Sequence, residues 1–99
     1  MSWADHAIKK LQGGEEAVVK PRGNSMKPRV KSGATVTLEP VKVAGLEVGD
    51  VVLCRVKGRV YLHLVKATQE GRVLIGNNRG GVNGWTRTVY GRAVEIDNS

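Results

Sequence analysis

The chain has 99 residues, with 16 Lys plus Arg against 9 Asp plus Glu for a formal net charge of +7, and 40% of it is hydrophobic. That length suits one domain, and that composition is globular rather than disordered. One cysteine, Cys54, and two histidines, His6 and His63, exclude an internal disulfide, a cysteine metal site and a His-rich zinc centre, so no metal or other cofactor is expected.

Residues 2–12 read as a short amphipathic helix. Ser2 suits the N-cap, with Asp5 three places on as a capping-box partner. Trp3, Ala7, Ile8 and Leu11 share one stripe, and Gly13-Gly14 ends the helix. Its expected role is to dock Trp3 onto the domain.

From residue 15 the pattern becomes that of strands. Residues 17–22 form a short extended run in which Pro21 marks an edge. Residues 34–39 alternate, with Val36 and Leu38 facing one way and Thr35 and Thr37 the other. A turn over 46–50 leads into a strand over 51–56, and Lys57-Gly58 reads as a two-residue hairpin turn. The return strand, 59–66, puts Val60, Leu62 and Leu64 on one face and Tyr61, His63 and Val65 on the other. Gln69-Glu70-Gly71 turns into a strand over 72–75. Residues 76–84 read as one long loop, and a last strand covers 88–96. Six short strands and one helix predict a mainly β fold, divided into an N-terminal helix and linker (1–14) and a β domain (15–99). With no Phe, and only Trp3, Tyr61, Trp85 and Tyr90 as aromatics, the core must be aliphatic.

No apolar run approaches the ~20 residues that span a bilayer. The N-terminus has no hydrophobic segment of the secretory kind. The expected location is cytoplasmic, with no membrane anchor.

Gly23-Asn24-Ser25-Met26-Lys27-Pro28 is the segment most able to carry chemistry. A tight Gly-containing turn after an extended run lifts a Ser hydroxyl clear of the backbone. It also aims neighbouring N–H groups at one point, as an oxyanion hole requires. Pro28 restricts how the chain leaves the turn. Taken alone, Gly-Asn-Ser is also an ordinary turn tripeptide.

The order of the later motifs adds to that reading. After the serine box come Val48-Gly49-Asp50-Val51-Val52, a hairpin carrying Tyr61-Leu62-His63, then Gly76-Asn77-Asn78 and Tyr90-Gly91-Arg92-Ala93-Val94. This succession, from about Lys20 to Ile96, resembles the signal peptidase / LexA-type serine peptidase superfamily. The resemblance implies that superfamily's fold, a β-ribbon or barrel, here with one short N-terminal helix. It also implies Ser25 as nucleophile, with the base position on His63. Bacterial signal peptidases and LexA-type proteins have Lys there, whereas the endoplasmic-reticulum and archaeal type has His. Lys66 is a rival base, but its parity puts it on the opposite strand face. His is also the easier base, being mostly neutral at pH 7, whereas a Lys would need desolvation.

The His-type relatives carry an Asp in the loop matching 76–84. This chain has Asn77, Asn78 and Asn83 there and no carboxylate. An Asn can hold an imidazole tautomer but cannot stabilise imidazolium by charge. Asp50 reads as a turn residue. The oxyanion hole is assigned to the backbone N–H groups of Ser25 and Met26, with the Asn24 side chain as helper, and the Met26 side chain to packing along the groove. Substrate would lie extended beside an exposed strand.

Two function classes follow. The first is a serine endopeptidase using Ser25 and His63, acting in trans on a protein or peptide. Self-cleavage is not expected, since the only Ala-Gly, Ala44-Gly45, lies downstream of the serine. The second is a weak or inactive member of the same fold serving as a basic binding module. Its surface would be the acid-free cluster Lys20, Arg22, Lys27, Arg29 and Lys31, meeting protein or nucleic acid.

Overall fold

The first ordered element of the computed structural model, which describes residues 3–23 and 25–98, is helix α1 (Asp5–Gln12). Its N-cap is Ala4, whose methyl side chain offers no acceptor to the first turn. Ser2, the expected cap, lies outside the described residues. Asp5 in the first turn and Lys9 and Lys10 in the last complement the helix dipole, and the Gly13 N–H closes the C-terminal end on the Lys9 and Lys10 carbonyls at 3.2 and 3.0 Å. Ala4, Ala7, Ile8 and Leu11 are buried in one core with the sheet. Trp3 precedes the first helical turn and stays 50% exposed, so it does not join the buried stripe of Ala7, Ile8 and Leu11.

Seven strands follow: β1 (Ala17–Val19), β2 (Thr35–Pro40), β3 (Val51–Val56), β4 (Arg59–Gln69), β5 (Arg72–Gly76), β6 (Val82–Thr86) and β7 (Thr88–Asp97). A 3-10 turn, Val43–Gly45, lies between β2 and β3. All neighbouring strands are antiparallel, in the order β1-β2-β7-β3-β4-β5-β6. The fold is mainly β with one short helix, as the patterning predicts.

Alternation decides which face each side chain serves. In β3, Val51 and Leu53 point into the core beneath α1, while Val52, Cys54 and Val56 enter a second core with Val65, Val73 and Ile75. A strand apolar on both faces sits in the middle of a sheet. β4 divides as the sequence dictates, Val60, Leu62 and Leu64 to the first core and Tyr61 and Val65 to the second. Lys57 and Gly58 turn the β3–β4 hairpin with φ of 51° and 83°, both positive as a type I′ turn demands, and so fix the pairing of Val52 with His63.

The expected loop over 76–84 is shorter than predicted. Gly76 ends β5 and residues 82–84 open β6, which pairs with β5 so that Trp85 stands opposite Leu74. Val82-Asn83-Gly84 carries little strand propensity of its own, and pairing with β5 overrides it. The Arg72 guanidinium lies 4.7 Å from the Trp85 ring centroid and reinforces that pairing. The sheet curls until β6 meets β3, where Thr86 Oγ1 donates to the Arg55 carbonyl at 2.6 Å.

One feature of the register positions the site. β3 pairs with β4 over Arg59–Leu64, whereas β5 joins β4 only from Leu64 onward. The outer edge of Arg59–His63 therefore has no ladder partner among the described residues.

Candidate active site

The serine turn hangs from the end of β1. The Pro21 carbonyl accepts the Gly33 N–H at 2.7 Å, and the Gly23 N–H donates to Ser32 Oγ at 3.1 Å. Gly23 has φ +113°, which side-chain-bearing residues rarely adopt. The turn beyond Ser25 is closed by the Val30 N–H on the Met26 carbonyl at 2.9 Å. Met26 and Val30 sink into the first core and anchor the turn, while Ser25 stays half-buried.

β4 brings His63 to the same place. The imidazole is 8% exposed and stacks on Tyr61, two residues earlier on the same face, with centroids 4.9 Å apart and planes 28° apart. Ser25 Oγ lies 3.1 Å from His63 Nε2. On the other side of the ring, His63 Nδ1 lies 2.6 Å from Asn83 Oδ1, an acceptor delivered by β6. An amide oxygen requires a proton on Nδ1, and in a neutral imidazole that leaves the Nε2 lone pair facing the serine hydroxyl. Burial lowers the His63 pKa below its usual 6.5, and the bond to Asn83 opposes this without reversing it. His63 is therefore largely neutral at pH 7.

The three loop asparagines do different things. Asn77 turns inward: its Oδ1 accepts the Arg79 and Gly81 N–H groups at 2.8 and 2.9 Å and shapes its own loop. Asn78 holds the serine turn, its N–H donating to the Ser25 carbonyl at 2.9 Å and its Nδ2 to the Lys27 carbonyl at 3.0 Å. Of the three, Asn83 is the one against the imidazole. Asn24 lies outside the described residues. The N–H groups of Ser25 and Met26 donate to no backbone carbonyl among the described residues. Asp50 is a turn residue, its Oδ2 accepting the Glu47 N–H at 2.9 Å. Lys66 lies beside the irregularity between Val65 and Ala67, its aliphatic stem against Gly76.

A groove of about 430 Å³ opens at the Ser25–His63 pair. One wall is the continuous stretch 20–23, and the other is 60–63, the unpaired edge of β4. The groove thus runs between the segment that follows β1 and the edge of β4. Sequence reasoning missed Trp3 and Val60 as lining residues. No local signal marked Trp3, because a helix over 2–12 puts it on the buried stripe; only the start of α1 at Asp5 frees it.

Among the described residues, no three His, Cys, Asp or Glu side chains cluster to hold a metal ion, and no helix is long and apolar enough to cross a membrane. Comparison with curated proteins gives no match. The family model described as Peptidase S24-like matches residues 3–83, a span holding Ser25, His63 and Asn83.

Proposed function

The chain belongs to the Peptidase S24-like family, and from that premise we propose that it is a serine endopeptidase acting in trans on a protein or peptide substrate. The observation that carries the reading is the relay Asn83 Oδ1–His63–Ser25 Oγ, at 2.6 and 3.1 Å. An isolated strand histidine has no reason to be fixed in the one tautomer that presents a lone pair to a serine.

The reaction follows from these atoms. His63 Nε2 accepts the Ser25 proton as Oγ attacks the scissile carbonyl carbon. The new oxyanion is held by the N–H groups of Ser25 and Met26, which have no backbone partner among the described residues. His63 then passes its proton to the leaving amine, and the C–N bond breaks to give an acyl-Ser25 ester. Water, deprotonated by His63, hydrolyses that ester and restores the serine. Asn83 is a positioning residue: it holds the ring and the tautomer, while the missing carboxylate means that imidazolium gains no neighbouring negative charge. An extended substrate is held by main-chain hydrogen bonds to the open edge of Arg59–His63.

A digest of a mixed peptide library tests this, wild type beside Ser25→Ala. The reading expects cleavage products that disappear in the variant while its thermal unfolding stays close to wild type. Products that survive Ser25→Ala would refute it.

A further inference from the structure

The groove is chemically two-sided. Its floor is apolar, formed by the buried side chains of Met26, Val30 and Leu62. Trp3 also lines the groove and is 50% exposed, leaving aromatic surface available to an occupant. Lys20, Arg22 and Lys31 also line the groove, and all three are exposed. None of the three forms an ion pair among the described residues, where the ion pair found is Arg92–Glu39 at 2.7 Å. No acidic side chain lines the groove among the described residues. A cleft lined by one sign of charge concentrates ligands of the opposite sign.

We infer that the groove selects extended acidic peptides, those placing a bulky apolar side chain against Trp3 and the Met26–Val30–Leu62 floor, with Asp or Glu within a few residues to meet Lys20, Arg22 and Lys31. The inference deepens the peptidase reading and rests on it for the identity of the occupant as substrate. Nucleic acid also carries negative charge, yet two features favour a peptide. The cations line a groove whose floor is aliphatic, and the groove wall is an open strand edge that offers main-chain pairing. Exposed ion pairs each change affinity by about two- to fivefold, so three together give roughly tenfold or more at low salt.

The test uses the full chain carrying Ser25→Ala, so that binding is read without turnover. The probes are a fluorescein-labelled dodecapeptide with one central Leu and Glu on both sides, its Glu→Gln counterpart, and a single-stranded DNA 12-mer, followed by anisotropy at 50 mM salt. The acidic peptide is expected to bind at least about tenfold more tightly than the Gln peptide and more tightly than the DNA. Combined Lys20→Ala, Arg22→Ala and Lys31→Ala changes should bring the acidic peptide down to the Gln level and leave the Gln peptide unmoved. Trp3→Ala, at a half-exposed position outside the core, should weaken both peptides by a similar factor. Equal binding of the two peptides, indifference to the triple change, or tighter binding of the DNA would overturn the inference. Glu-selective binding beside an enzyme that cleaves nothing would sink the peptidase reading alone. Ser25-dependent cleavage with no Glu preference would sink this inference alone.

Discussion

Replacing Asn83 by Asp changes one atom type at the point where the account is most exposed. In the wild type the acceptor on His63 Nδ1 is a neutral amide oxygen at 2.6 Å, and burial holds the imidazole pKa below 6.5. Neutral His63 is the base, so activity rises as pH climbs through that lowered value and is flat by neutral pH. A carboxylate at the same distance favours imidazolium, and an opposite charge that close raises a pKa by about 1–3 units. The rising limb of the rate profile therefore moves to higher pH by about 1–3 units. Each unit corresponds to a tenfold change in proton affinity. With the proton about half transferred in the transition state, the high-pH plateau should rise by about 3- to 30-fold. The two profiles cross, so that Asn83→Asp is slower than wild type near pH 5.5 and faster near pH 9. Initial rates on one quenched fluorescent peptide from pH 5 to 9.5 read this directly. Profiles of the same midpoint, or a variant slower at every pH with its fold intact, would refute the claim that Asn83 seats against the imidazole.

Three further outcomes follow from the same geometry. Because the folded His63 pKa lies below its unfolded value of about 6.5, the unfolded chain binds more protons between the two. The His63 contribution to stability is thus fully present above pH 6.5 and lost as pH falls through the folded value; denaturant titrations at pH 5 and 7.5 should show a smaller difference for His63→Gln than for wild type. Leu53→Ala removes a fully buried side chain from β3 and should destabilise by about 2–5 kcal/mol, lowering Tm by about 10 °C or more. Burial pushes the Cys54 thiol up to about 12, so a thiol-labelling reagent at pH 8 should react only once denaturant unfolds the chain.

Legibility of the fold tracked the strength of each local pattern. β3 and the β3–β4 hairpin are found where predicted, because Val51–Val56 is apolar on both faces and Lys57-Gly58 suits a type I′ turn. β6 escaped because Asn83 and Gly84 read as loop, and only pairing with β5 makes them strand. That miss matters to the site, since the strand pairing is what carries Asn83 to His63. The sequence placed Ser25 and His63 as partners through the resemblance, and the parity of β4 separated His63 from Lys66. It left Asn77, Asn78 and Asn83 equivalent, because only tertiary contacts distinguish an amide that shapes its loop, one that holds the serine turn and one that meets the ring. Trp3 was misread because a helical stripe was extended past the real start of α1.

The central claim is that His63 activates Ser25. Reaction with a fluorophosphonate, followed by intact-mass and peptide mass spectrometry, tests it without knowledge of the substrate. The account predicts one adduct per chain, located on Ser25, forming faster as pH rises through the lowered His63 value and slowed at least about a hundredfold in His63→Ala. An adduct elsewhere, none on Ser25, or labelling of Ser25 at an unchanged rate without the imidazole would contradict it.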